Sequence, residues 1–147
     1  MQMDAGVTTE QDGLDGIVWN VLGQTYVPKL RSEEAMIWHA VLPAETFVPP
    51  HIHSTQHEWI HVLTGNLEVD FESGTKRAGP GDLVRMPMGI WHGVFNRSGA
   101  EATAMFGVAP ARGLYELFSK IDNLPDPGEV VRLAAEHEIE FLPPPAA

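Results

Sequence analysis

The 147-residue sequence contains no cysteine. This absence excludes a disulfide-stabilised secreted scaffold, a thiolate metal site and a cysteine nucleophile. Basic residues are also scarce, since 9 lysines and arginines stand against 20 acidic residues and give a formal net charge of −11. The phosphate backbone of a nucleic acid would repel such a chain, so we expect no nucleic-acid partner.

Long apolar runs are missing as well. No stretch approaches the roughly 18 apolar residues that a membrane-spanning helix needs, so we expect no membrane association. Residues 1–13 are polar and acidic, unlike the apolar centre of a secretory signal peptide, and we therefore expect a cytoplasmic protein. The length suits a single domain with one hydrophobic core.

Turn-forming residues recur about every eight to twelve positions from residue 17 to residue 110, which is typical of an all-β sandwich or barrel. We expect Pro28 to interrupt the chain after the first strand. The segments between the turns predict strands at residues 17–22, 35–42, 47–48, 58–64, 67–71, 83–86, 91–96 and 102–108.

The C-terminal part of the chain has helical periodicity instead. Asp126 and Pro127 are residue types that favour the cap and the first turn of a second helix. We therefore expect one domain made of a flexible arm (1–16), a β-region (17–110) and a helical cap with its tail (111–147). The first helix is predicted from four apolar residues on one face: Leu114, Leu117, Phe118 and Ile121.

Histidines are concentrated in one short segment, and a further histidine follows a Pro-x-Gly turn. On a strand, His51 and His53 point to the same face, so both imidazoles can reach one point. Together with Glu58 and the distant His92, they would form a nitrogen-rich set that suits Fe, Mn, Ni, Co, Cu or Zn better than Ca²⁺. Four of the seven histidines lie within eleven residues: His51, His53, His57 and His61.

Residues 57–61 read HEWIH, which matches the H-E-x-x-H motif of zinc proteases. That motif requires a helix, whereas the segment is rich in β-branched and aromatic residues and Gly65 ends it after about two turns. We therefore favour a strand. On a strand Glu58 and His61 point to opposite faces, so we expect His61 at the surface or at a subunit interface.

Two segments, HIHSTQHEWIHVLTG (51–65) and GDLVRMPMGIWHGVFN (81–96), resemble the signature motifs of the cupin superfamily. The resemblance spans about residues 35–110, and the C-terminal helix and tail resemble the cap of small bacterial cupins grouped with quercetin dioxygenase-like proteins. One position departs from the first motif, because Glu45 stands where cupins have a turn glycine. The matching positions are His51, His53, Glu58 and Gly65 in the first motif and Gly81, Pro87, Gly89, His92 and Asn96 in the second.

Cupins fold as a small antiparallel β-barrel, the double-stranded β-helix or jelly roll, with a metal ion held inside by the two motifs. The resemblance therefore implies an all-β barrel with one or two C-terminal helices. It also implies a homodimer, which an outward-facing Trp59 and His61 would suit. It further implies one divalent transition metal per chain (Fe, Mn, Ni, Co, Cu or Zn), with the ligands His51, His53, Glu58 and His92.

Other residues are expected around the ligands. Strand positions place Ile60, Val62 and Met86 as candidate lining residues of a substrate pocket. Gln56 and His57, in the corner beside the site, are candidates for hydrogen bonds to a ligand or to the substrate.

A metal with open positions in an apolar pocket can bind water, dioxygen or a pair of substrate oxygens. We therefore expect a metal-dependent oxidoreductase of dioxygenase type, acting on a small, largely hydrophobic phenolic, enol or keto compound, with Glu58 as the catalytic base. Two alternatives stay open. One is a non-oxidative isomerase or cyclase, and the other is a non-catalytic protein that binds or senses a small molecule.

Overall fold

The structure, a computed structural model, describes residues 3–142 and contains two facing antiparallel sheets. One sheet has the spatial order β1 (Trp19–Val21), β2 (Gln24–Arg31), β3 (Met36–Leu42), β10 (Ala102–Ala109), β5 (His57–Thr64) and β8 (Leu83–Met86). The other has the order β11 (Ile139–Phe141), β4 (Phe47–His53), β9 (His92–Phe95), β6 (Leu67–Phe71) and β7 (Gly74–Ala78).

The two sheets form a cupin-type jelly roll, so the predicted all-β class is confirmed. They face each other as a double-stranded β-helix, and strand pairing does not close them into a single barrel. Within the described residues, neither helix is long and apolar enough to cross a bilayer. The helices are α1 (Leu114–Ile121) and α2 (Pro127–Glu136), and a short 3-10 turn covers Leu14–Gly16.

The hydrophobic core lies between the sheets, and strand alternation decides which side chains enter it. In β3, Trp38 and Ala40 are buried, whereas His39, which lies between them, is half-buried. In β5 the buried positions alternate with more exposed ones, so Glu58 faces inward and His61 faces solvent. The strand predicted for the HEWIH segment is therefore confirmed, and the helical zinc-protease alternative is excluded.

The prediction that Pro28 interrupts the chain is wrong, because β2 continues through it. The register between β2 and β3 shifts between Pro28 and Leu30. Such an irregularity tolerates a proline, since the ladder there does not require its missing N–H. The turn periodicity could not reveal this, because a bulged strand and a broken strand contain the same residues.

Glu45, which stands where the cupin motif has a glycine, adopts a backbone conformation that glycine adopts more readily than other residues. Its φ of 68° lies in the left-handed region, which costs a residue with a side chain about 1–2 kcal/mol. Two backbone hydrogen bonds hold it there: Glu45 N donates to Asn96 O at 2.9 Å, and Asn96 N donates to Thr46 O at 3.0 Å. The first and last residues of the two motifs are therefore adjacent in space.

The N-terminal arm is attached to β2. The Lys29 ammonium donates to the backbone carbonyls of Thr9, Glu10 and Asp12 at 2.5–3.0 Å. The Thr8 hydroxyl donates to Lys29 O at 2.8 Å. Part of the predicted arm (1–16) is therefore hydrogen-bonded to Lys29 of β2.

The first helix and the start of the second lie where the sequence predicts them. Asp126 caps α2 by accepting a hydrogen bond from Gly128 N at 2.9 Å, and Pro127 occupies the first turn. The predicted apolar face of α1 is buried, and the Phe118 ring packs edge-on against Trp38 at 5.1 Å. After α2 the chain returns as β11, a strand that the sequence did not reveal, and pairs with β4.

Asn96 offers a test of this architecture. Its amide donates to Leu42 O at 2.8 Å and to Ala100 O at 2.7 Å, and its side chain is fully buried. We expect Asn96→Ala to lower the free energy of unfolding by about 2–3 kcal/mol in urea denaturation, because two buried hydrogen bonds are lost. Asn20→Ala, at an exposed position of β1, is the control and should change it by less than about 0.5 kcal/mol. Equal effects of the two variants would contradict the structural role of Asn96.

Candidate metal centre

Four buried side chains meet between the two sheets. The five-stranded sheet contributes His51 and His53 from β4 and His92 from β9, where His51 and His92 are cross-strand neighbours. The six-stranded sheet contributes Glu58 from the start of β5. One ligand atom from each of the four lies within 4.8 Å of the others. The centre therefore connects the two sheets across the core.

Hydrogen bonds orient the three imidazoles. A carbonyl oxygen only accepts, so each Nδ1 facing one carries the hydrogen and leaves Nε2 as the atom that can bind a metal. The contacts are His51 Nδ1 to Pro49 O at 2.7 Å, His53 Nδ1 to Gln56 Oε1 at 2.8 Å and His92 Nδ1 to Ile90 O at 3.2 Å.

Gln56 is itself fixed in one orientation. Its Nε2 donates to Pro110 O at 3.0 Å and to Ala111 O at 2.8 Å, so its Oε1 must face His53. Gln56 is buried, and it connects His53 to the chain that follows β10. This contact is the one that the sequence suggested for Gln56, a hydrogen bond to a candidate ligand.

The electrostatics of the centre favour metal-binding protonation states. Burial is the main cause that lowers the pKa of His51 to about 3, and His92 and His53 act in the same direction. Burial alone would raise the pKa of Glu58, but the charge of His53 and the contact with His92 outweigh it and lower the pKa to about 2. At neutral pH His51 is therefore a neutral imidazole and Glu58 is an ionised carboxylate.

The spacing of the donor atoms fits one metal ion. Glu58 Oε1 lies 2.8 Å from His92 Nε2 and 3.6 Å from His53 Nε2. Two ligand atoms that are each about 2.1 Å from a shared ion lie about 3–4 Å apart, so the Glu58–His53 distance falls in this range and the Glu58–His92 distance is slightly shorter. A carboxylate oxygen and an imidazole nitrogen this close need a hydrogen atom or a metal ion between them, because their lone pairs would otherwise face each other. The four residues can therefore hold one divalent transition metal.

The cupin domain family model matches residues 38–108, a span that contains all four of these side chains. The chain therefore contains a cupin domain. No curated protein matches this cupin at a significant level of sequence similarity.

Solved structures share the fold of this cupin. An RmlC-like cupin from Shewanella frigidimarina NCIMB 400 has 16% identity and a TM-score of 0.68, over 78% of this chain and 99% of that one. KdgF from Halomonas sp. has 18% identity and a TM-score of 0.67, over 76% and 99%. A predicted oxalate decarboxylase from Thermotoga maritima has 16% identity and a TM-score of 0.62, over 72% and 99%. Identities this low establish the fold alone.

An apolar cavity of about 60 Å³ adjoins the centre of this cupin. His51, His53 and Glu58 form one wall. Of the described residues that line it, Glu58 and these two histidines are the only ones that are neither apolar nor aromatic. The remaining walls come from β1 to β4, β9 to β11 and the helical cap, and they include Val21, Tyr26, Trp38, Phe106, Leu117 and Phe118.

The residues that the sequence suggested for the pocket lie elsewhere. Ile60, Val62 and Met86 are fully buried core residues that do not line the cavity. The cavity extends from the ligands towards β1, β2 and the helical cap, whereas these three residues lie on β5 and β8 at the other side of the sheet. Strand parity identifies inward residues, but it does not show where between the sheets the space remains.

The two histidines of the HEWIH segment lie outside the centre. His57 is exposed, and its Nδ1 accepts a hydrogen bond from Met88 N at 3.1 Å. This contact connects the start of β5 to the loop before β9. His61 is exposed on the outer face of β5, as strand parity predicts.

Sequence reasoning missed the aromatic residues that surround the centre. The Phe141 ring packs against His51 at 5.2 Å, and its strand β11 pairs with β4 so that Ile139 is opposite His53. Tyr26 lies on β2, before the span of about residues 35–110 that resembles cupins. Trp38 lies on β3, near the start of that span. The alternation in β3 is a signal that could have identified Trp38 as an inward residue.

Metal content tests the ligand assignment. We expect wild-type protein loaded with a divalent transition metal to retain close to one ion per chain in elemental analysis. His51→Ala and His92→Ala each remove a nitrogen ligand, and both should retain less than about a tenth of that amount. Gln56→Leu should weaken metal affinity about 10- to 100-fold, because His53 loses its orienting partner. His61→Ala is the matched control, and metal loss equal to that of His51→Ala would contradict the assignment.

The depressed pKa of His51 predicts how the metal-free protein responds to acid. Between the ordinary pKa of 6.5 and the folded pKa of about 3, the unfolded chain binds a proton that the folded protein does not. The free energy of unfolding should therefore fall as the pH is lowered through this range. Glu58 acts in the same direction below its ordinary pKa of 4.5.

Urea denaturation of the metal-free protein between pH 7 and pH 4 measures this effect. His51→Gln has no titratable group at the position, so it should lose less stability over the same range. An equal loss in both proteins would show that His51 is not responsible.

Proposed function

We propose that this cupin is a metal-dependent enzyme of dioxygenase type that acts on a small, uncharged, largely apolar molecule with a keto, enol or phenolic oxygen. The observation that supports the proposal most strongly is the position of the centre at the end of an apolar cavity. A metal ion there would polarise a bound substrate oxygen and, if it is redox-active, support chemistry with dioxygen.

The residues of the chain have separate parts in this proposal. The three histidines, each oriented through Nδ1, hold the metal. Glu58 is the one carboxylate among the described lining residues, so it is the group that can accept a proton from a substrate hydroxyl. The apolar walls exclude water and keep these charges in a medium where they interact strongly.

The charge of the cavity supports an uncharged substrate. Lysine and arginine are absent from the described lining residues, and Glu58 adds a negative charge. An anionic group placed in the cavity away from the metal would lose its hydration without gaining a cationic partner. A dicarboxylate such as oxalate, or a sugar phosphate, is therefore a poorer candidate than a neutral hydroxy ketone or enol.

The size of the cavity supports a small substrate. The cavity volume of about 60 Å³ is the space open to the centres of water-sized spheres, so the cavity has room for a small molecule of several non-hydrogen atoms. The substrate is therefore proposed to be a small oxygenated molecule.

Oxygen consumption tests the proposal. Protein loaded separately with Fe²⁺, Mn²⁺, Co²⁺ or Ni²⁺ is mixed with a panel of small uncharged hydroxy ketones, enols and catechol. We expect at least one combination to consume dioxygen in step with substrate loss. His92→Ala should reduce the rate at least about 100-fold, and His61→Ala should leave it unchanged.

The same screen separates the two alternatives. Conversion at the same rate without dioxygen would assign the protein to the isomerases or cyclases. Saturable binding without conversion under either atmosphere would assign it to the binding proteins and would overturn the enzyme proposal.

A further inference from the structure

The cavity wall contributed by β2 and β3 includes two aromatic side chains that carry a polar group, Tyr26 and Trp38. Tyr26 and Trp38 are 4% and 2% exposed, their ring centroids are 6.1 Å apart, and both line the same cavity as His51 and Glu58. Phe106 and Phe118 pack against both rings. The Tyr26 hydroxyl and the Trp38 N–H are the polar groups of these two buried aromatic side chains.

The direction of the hydrogen bonds around Tyr26 can be worked out from its neighbours. The Thr46 hydroxyl donates to Pro43 O at 2.7 Å, so its oxygen accepts from Gln24 Nε2, 3.4 Å away. The other end of the Gln24 amide, Oε1, therefore faces Tyr26 and accepts its hydroxyl hydrogen at 2.7 Å. With its hydrogen used in this way, the Tyr26 oxygen can only accept a further hydrogen bond.

Trp38, in contrast to the Tyr26 oxygen, has a free hydrogen-bond donor. Its Nε1 is the one buried side-chain nitrogen or oxygen without a hydrogen-bond partner among residues 3–142. A buried N–H that lacks a partner costs about 1–3 kcal/mol, and native proteins retain few of them. The indole N–H is a donor only, so the partner it lacks must be an acceptor.

We propose that Tyr26 and Trp38 bind a hydroxyl group of the substrate, which accepts a hydrogen bond from Trp38 Nε1 and donates one to the Tyr26 oxygen. A hydroxyl group is suited to this place because it can accept and donate at once, whereas a ketone or an ether oxygen can only accept. Gln24 is the positioning residue, since it fixes the direction of the Tyr26 hydroxyl.

The inference rests on the proposed function and makes its substrate class more specific. The substrate has one oxygen that faces the metal ligands and a hydroxyl group that faces the β2–β3 wall. Burial and the charge of Glu58 both raise the pKa of Tyr26, so the phenol stays neutral and keeps its hydrogen for Gln24. A carboxylate or phosphate at this wall would meet the lone pairs of the Tyr26 oxygen.

The test compares two probes of the same shape, hydroxyacetone and butanone, in which a hydroxyl replaces a methyl group. Ligand-observed NMR titration of metal-free wild-type protein measures both dissociation constants without any contribution from metal binding. We expect hydroxyacetone to bind about three- to tenfold more tightly, as one or two neutral hydrogen bonds would produce. Equal affinities, or no binding of either probe, would overturn the inference without the need for any variant.

Two variants that each lack one hydroxyl group then identify the residue that causes the preference for hydroxyacetone. Tyr26→Phe should reduce the preference for hydroxyacetone to less than about twofold. Tyr115→Phe, which removes a hydroxyl outside the cavity, should retain it. A preference that persists in Tyr26→Phe, or that disappears equally in Tyr115→Phe, would overturn the inference.

Repeating the titration with zinc-loaded protein distinguishes this inference from the proposed function. If elemental analysis finds no bound zinc, the proposed function fails, while the metal-free comparison still decides the role of Tyr26 and Trp38. If zinc binds and the Tyr26→Phe preference equals that of the wild type, the inference alone fails.

Discussion

A carboxylate buried between two sheets is the constraint on which the rest of this structure depends. The Glu58 charge is 6% exposed, and burying such a charge without compensation costs several kcal/mol. The compensation comes from the opposite sheet, where three imidazoles surround the carboxylate. Because Glu58 and its imidazole partners are on different sheets, their contacts hold the sheets in one relative position. The arrangement of imidazoles that compensates for burying the Glu58 carboxylate is therefore the same arrangement that suits a metal ion.

The histidines meet this constraint because their other nitrogens are already occupied. Backbone carbonyls of Pro49 and Ile90 and the side chain of Gln56 fix the three rings. Gln56 is fixed in turn by two carbonyls beyond β10. The three rings are thus fixed by backbone carbonyls, either directly or through Gln56, as a site for a metal of defined coordination requires.

The sequence was most informative where spacing alone determines position. Two-residue periodicity placed His51 and His53 on one face and separated Glu58 from His61, and the structure shows both. The strand through Pro28 was missed because a bulged strand and a broken strand contain the same residues. The strand that contains Phe141 was missed because its partner, β4, is distant in the chain. The pocket was placed among Ile60, Val62 and Met86 for the same reason. Local patterns show which side chains face inward, but the location of empty space depends on how the helical cap packs over the sheets.

The division of the cavity between parts of the chain has an evolutionary consequence. Residues 38–108, which match the cupin family model, contain all four candidate ligands. Tyr26 lies before that span, and Phe118 and Phe141 lie after it, although all three line the cavity. Mutations in the flanking segments can therefore reshape the space offered to a substrate while the ligand set stays intact. In this protein the candidate ligands and part of the cavity wall are encoded by different stretches of sequence, which can diverge at different rates.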